Sequence, residues 1–146
     1  MKKILSLFPA LFLVISFFSC ERNEVSLTSP SGNLLVEFEI TADGLCYSIE
    51  YKGEDLIDDT PLGLEFNDMD PFVGLGFAET SVLEIDETWE RVWGKSKTVR
   101  NHCNALTVSL QEGDGHKRKL NLVFRAYDDG VAFRYHVPKQ ENIDEF

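Results

Sequence analysis

Histidine, cysteine and methionine are scarce, with 3, 3 and 2 of 146 residues, and that scarcity closes off several chemistries. Outside the N-terminal run only Cys46 and Cys103 remain, with no histidine at ligand spacing, so the chain offers no zinc site. The two thiols could bridge in an oxidising compartment only if their Cα atoms came within about 7 Å, and both fall on the polar phase of their strands. Basic residues are also outnumbered: 14 Lys+Arg face 25 Asp+Glu, a formal net charge of −11. That balance repels nucleic acid and anionic membrane surfaces and favours neutral or cationic partners. Helical periodicity is missing apart from one candidate turn near Trp89. A nucleophile, base and orienting acid cannot be assembled from the pattern.

What is present is a single domain's worth of chain, with 12% aromatic residues, many β-branched residues and few alanines, a composition suited to a β-rich fold. Lys2 and Lys3 precede the apolar run Ile4–Phe18, which is too short to span a bilayer comfortably and reads as an export signal over residues 1–19. The run ends in Phe17-Phe18-Ser19-Cys20, which resembles the lipobox of bacterial lipoproteins, with Cys20 as the site of lipid attachment. The alternative is ordinary signal cleavage nearby. Loss of residues 1–19 removes two lysines and leaves 12 basic residues against 25 acidic, a formal charge of −13. The expected location is therefore the periplasm or outer membrane, held by a lipid anchor, with residues 20–24 as a tether.

From Val25 the chain acquires a period of two. Val25–Thr28 is expected as a strand, Ser29–Asn33 as a turn, and Leu34, Val36, Phe38 and Ile40 as the apolar row of the next strand. Leu45, Tyr47, Ile49 and Tyr51 repeat the pattern after Ala42-Asp43-Gly44. The stretch 56–76 loosens, with Leu62–Phe66 as a short edge strand and Asn67–Gly74 as a solvated acidic loop. Its Asn67-Asp68-Met69-Asp70 lacks the glycine and closing glutamate of a calcium loop. Leu75–Ile85 is another strand. Leu106, Val108 and Leu110, then Leu120, Leu122, Phe124 and Ala126, then Val131, Phe133, Tyr135 and Val137 complete the alternation. The basic run His116–Lys119 reads as a solvated edge that discourages aggregation, and Pro138 ends the last strand before a polar tail, residues 139–146. About eight short strands without βαβ units make an all-β, antiparallel β-sandwich.

The chemistry-bearing side chains crowd into Asp86–Leu110. Trp89 and Trp93, four apart, are either core anchors, a stacking platform for a sugar, or a contact with a neighbouring domain. His102 and Asn104 share strand parity with Leu106, Val108 and Leu110, which sets them on the core-facing row at its mouth. There they either rim a cleft or satisfy backbone groups at a strand start. Trp89, Trp93, Arg100, His102 and Asn104 are the candidate carbohydrate or inter-domain contacts; no catalytic or metal-ligating residue is assigned.

Several stretches carry a family resemblance. They are Ser29-Pro30-Ser31-Gly32-Asn33, Ser48-Ile49-Glu50-Tyr51, Pro61-Leu62-Gly63-Leu64, Glu87-Thr88-Trp89 with Val92-Trp93-Gly94, Arg100–Leu106, and Phe124–Tyr135. In this order they resemble the N-terminal domain of glycoside hydrolase family 97, over residues 25–138. Cys103 stands where the family pattern usually carries an aromatic residue. The resemblance implies part of a β-super-sandwich, galactose-mutarotase-like, that supports a (β/α)8 barrel acting on α-glucosides or α-galactosides. It implies that the acid and the base or nucleophile belong to that barrel, with calcium, in some members, at the domain junction. The chain is then expected to be incomplete, inactive alone and without a cofactor of its own, its partners being the missing barrel and an oligosaccharide. The other reading is a free-standing, lipid-anchored carbohydrate-binding or structural envelope protein. A carboxyl pair flanking a glycosidic bond is needed for hydrolysis, and no pair here is singled out by a family motif.

Overall fold

The computed structural model describes residues 24–67, 69–113, 116–141 and 143. The export signal and Cys20 lie outside the described residues. Eight strands follow one another: β1 (Glu24–Thr28), β2 (Leu34–Thr41), β3 (Gly44–Tyr51), β4 (Glu54–Leu62), β5 (Leu75–Glu90), β6 (Thr98–Glu112), β7 (Lys119–Tyr127) and β8 (Gly130–His136). They form two antiparallel four-stranded meanders, β1-β2-β3-β4 and β5-β6-β7-β8, and no helix occurs among the described residues. β1 and β2 lie across β6 and β7, which makes the all-β sandwich that the alternation implied.

Local sequence dictates the turns. Lys52-Gly53 joins β3 to β4 with φ of 54° and 83°, the pair of left-handed residues that a two-residue hairpin of matching twist demands. Between β1 and β2, Gly32 takes φ 73° while the Ser29 carbonyl accepts the Gly32 N–H at 2.9 Å and the buried Ser29 hydroxyl accepts the Leu34 N–H at 3.3 Å. Because side chains alternate, the inward rows of the two sheets meet. Val36 and Phe38 from one sheet pack with Val108, Leu110, Leu122 and Phe124 from the other, and each buried side chain contributes about 1.5–3 kcal/mol. Phe38 meets Phe77 edge-on at 5.8 Å and Phe124 at 5.8 Å, and Tyr47 continues the ring contacts to Phe133 at 5.5 Å.

Three local expectations change. Leu62 ends β4, and 63–66 is not a strand. The sequence near Trp89 is strand rather than a helical turn, because β5 runs on for 16 residues. The basic run is not simply a solvated edge, since Arg118 is only 2% exposed. Its guanidinium donates to both oxygens of Glu112 at 2.6 and 2.9 Å and to the carbonyls of Asp70 and Pro71 at 2.8 Å each, and it lies 4.7 Å over the Phe72 ring. Glu112 in turn accepts the Val73 N–H at 3.0 Å. This ion pair ties the crossover between the sheets, residues 63–74, to the end of β6.

Candidate functional site

β5 and β6 stay paired from Leu75–Glu112 out to Glu90–Thr98, whereas β7 accompanies β6 only between Asn104 and Gln111. Ile85–Glu90 and Thr98–Cys103 therefore leave the sandwich as a two-stranded arm without a third strand beside it. Opposite residues share a face, so register sorts the side chains. One face continues the inward core row with Glu84, Asp86 and Thr88 opposite Asn104, His102 and Arg100. The other carries Trp89 opposite Val99 and Ile85 opposite Cys103.

The polar face is closed by diagonal bonds. Arg100 donates through Nε and a terminal nitrogen to both Asp86 oxygens at 2.7 Å each, and His102 Nε2 lies 3.3 Å from Glu84 Oε1. Asn104 Nδ2 donates to the Thr28 carbonyl at 2.8 Å, pinning the root of the arm to β1. Asp128, in the β7–β8 turn, accepts the Ser31 N–H at 2.8 Å, and its charge acts on Arg100. Hydrogen bonding by Arg100 holds the Asp86 carboxyl below its ordinary range, and the Ser31 amide does the same for Asp128. Both carboxyls are thus anchored as anions. Neither is poised to donate a proton to a leaving group, which a glycosidase acid must do.

His102 and Asn104 lie at the mouth of the core row, as parity indicated, and Arg100 follows on the same face further along the arm. Asn104 also fulfils the plainer role of satisfying a backbone carbonyl. The tryptophans separate from them: Trp89 sits on the opposite face of the arm, and Trp93 lies in the turn Arg91–Lys97. That turn is closed by the Arg91 N–H donating to the Lys97 carbonyl at 2.7 Å. Trp89 is 47% exposed, Trp93 86% and Val92 99%, so the core-anchor reading of the tryptophans does not hold. Four residues of spacing gave no warning, because the turn interrupts the strand between the two rings.

Cys46 and Cys103 are free and buried on outward positions of different sheets, so this fold holds no bridge between them. Burial, then the hydrogen bond to Glu39, pushes the Cys46 thiol up to about 11. Glu39, Cys46 and Asp59 bring one ligand atom each within 4.8 Å of one another. A protonated thiol and two carboxylates do not fit calcium, which takes six to eight oxygens. The resemblance assigns calcium to a domain junction in full-length enzymes, and the described residues do not form its cage.

A sequence profile described as Glycosyl-hydrolase 97 N-terminal matches residues 27–145. The chain belongs to that family. Among its relatives, a retaining alpha-galactosidase of Bacteroides thetaiotaomicron is 28% identical over 136 residues, 92% of this chain and 19% of its own. A probable retaining alpha-galactosidase of Streptomyces bingchenggensis is 29% identical over 104 residues, 71% of this chain and 16% of its own. A glycoside hydrolase family 97 enzyme from Pseudoalteromonas sp. strain K8, solved in complex with acarbose, superposes with a TM-score of 0.76 at 30% identity. That overlap covers 80% of this chain and 18% of the enzyme. The chain spans less than a fifth of the length of these relatives.

Proposed function

We propose that this chain is the N-terminal accessory sandwich of a glycoside hydrolase acting on α-glucosides or α-galactosides, which supports a catalytic (β/α)8 domain and the rim of its sugar site. The observation that carries the reading is the family match across residues 27–145, in relatives named for α-galactosidase activity of whose length this region is under a fifth. The arm supports it physically. A two-stranded ribbon ending in Val92 and Trp93, both almost wholly exposed, suits burial against a second body, while Arg100, His102 and Asn104 supply hydrogen-bond donors of the kind that fix a sugar. The family match favours this over a free-standing binding protein. Export and lipid attachment at Cys20 belong to the same proposal and are supported by Lys2, Lys3 and the apolar run before Ser19-Cys20.

Purified residues 21–146, assayed with p-nitrophenyl α-glucoside and α-galactoside, are expected to show no turnover above buffer. Robust hydrolysis would refute the accessory role, and tight unaided binding of a neutral oligosaccharide would favour the free-standing reading.

A further inference from the structure

Charge is spread unevenly over the two outward faces, the carboxylates on the outer face of the second sheet being confined to its edge strand β5, at Glu79 and Glu87. The outward residues of the first sheet include Glu24 opposite Glu39, Glu37, and Glu50 opposite Asp55. The outward positions of β6, β7 and β8 hold no carboxylate, and their charged residues are Lys119, Arg125 and Arg134. Arg125 stands opposite Ala132 and Arg134 opposite Val123, so the two guanidinium groups are diagonal neighbours on one face, with Cα atoms about 7–8 Å apart. Neither has a hydrogen-bond or ion-pair partner among the described residues. With 25 Asp+Glu in the chain, the missing counter-charge is not a matter of composition. Between the two arginines runs an open groove of about 240 Å³, bordered by Val123, Tyr127, Ala132 and Phe133.

We infer that this groove binds a carboxylate-bearing saccharide unit, a uronate within an acidic glycan. Guanidinium groups take carboxylates through paired N–H donors, and two of them converge here. The Tyr127 hydroxyl donates to Asn101 Oδ1 at 3.1 Å, which fixes the phenol ring at one end of the groove. Thr107, opposite Val123 on the same face, offers a hydroxyl beside the groove. The groove is smaller than the roughly 300–1,000 Å³ of drug-sized sites and suits one sugar ring better than a peptide. The overall negative charge does not forbid an anion here. The carboxylates of the first sheet face solvent on the far side of a sandwich core about 10 Å thick, and those of β5 are separated from the arginines by β6.

The full chain titrated calorimetrically with trigalacturonate tests this. Expected are saturable binding, weakening at high salt, and a loss of about tenfold in Arg125→Gln and in Arg134→Gln, with circular dichroism and thermal midpoint unchanged. Arg134 is exposed, so its variant remains informative if Arg125→Gln folds poorly. No saturation, equal affinity for neutral maltotriose, or unchanged affinity in Arg134→Gln overturns the site. Tighter binding of poly-glutamate per carboxylate also overturns it, by assigning the face to an acidic protein.

Discussion

Glu112 and Arg118 show what one buried residue pair can hold. A carboxylate and a guanidinium out of water are retained because every polar atom is engaged, and the bonds reach the backbone of a crossover that has no strand partner of its own. The Arg118 side chain, then the amides of Val73 and Arg118, lower the Glu112 carboxyl from its ordinary 4.5 to about 2. Its folded value lies below its unfolded one, so the stability it contributes is present above about pH 4.5 and is lost as pH falls towards 2. Arg118→Met should cost about 3–5 kcal/mol in urea unfolding at pH 7, because it leaves a buried carboxylate alone, and adding Glu112→Met should restore much of it. In Glu112→Gln the loss of stability between pH 4.5 and 2 should be smaller than in the wild type.

The arm is a question of elements. Two strands that outrun their neighbours expose both faces towards their tip, so Val92 and Trp93 add little to the stability of the sandwich they grow from. Val92→Ser and Trp93→Ser should each change the unfolding free energy of the chain by less than about 0.5 kcal/mol, whereas Phe124→Ala, at the centre of the ring contacts, should cost about 3–5 kcal/mol. A large loss in either serine variant would mean that the arm folds back on the sandwich. The length of β5 was not legible beforehand, because Glu84, Asp86 and Thr88 alternate with Leu83, Ile85 and Glu87 as they would in any edge strand, and only pairing with β6 shows where the sheet stops and the arm begins.

At the scale of the molecule, a formal charge of −11 conceals an acidic outer face on the first sheet and a patch on β7 and β8 whose charged residues are basic. On the acidic face, burial, followed by the charges of Glu24 and Glu50, raises the Glu37 carboxyl above 4.5. The sign is opposite to that of Glu112: ionised Glu37 costs stability above its folded pKa, and the cost fades as pH drops towards 4.5. Glu37→Gln should therefore raise the thermal midpoint at pH 7, with the gain shrinking in high salt and near pH 4.5; a gain independent of both would indicate packing instead. The flank between β4 and β8 is open as well, with a groove of about 470 Å³ lined by Leu34, Ile49, Tyr51, Leu56, Ile57 and Val131. It contrasts with the closed side, where β1 crosses β6 and β7.

The sequence by itself determined most of the strands, their turns and which residues of each face inward, because a period of two and a left-handed Lys52-Gly53 are local facts that the backbone obeys without reference to distant residues; β4, whose Glu54–Leu62 carries no such period, escaped it. It also placed His102 and Asn104 on the core-facing row, since parity along one strand survives folding. Tertiary structure alone decided that Trp89 and Trp93 are exposed on separate parts of an arm, that Arg118 is buried beneath the crossover, and that Arg125 and Arg134 share a face with no ion-pair partner among the described residues. Each of these depends on where a neighbouring strand ends or which sheet lies across it, and such long-range pairings leave no period in the chain.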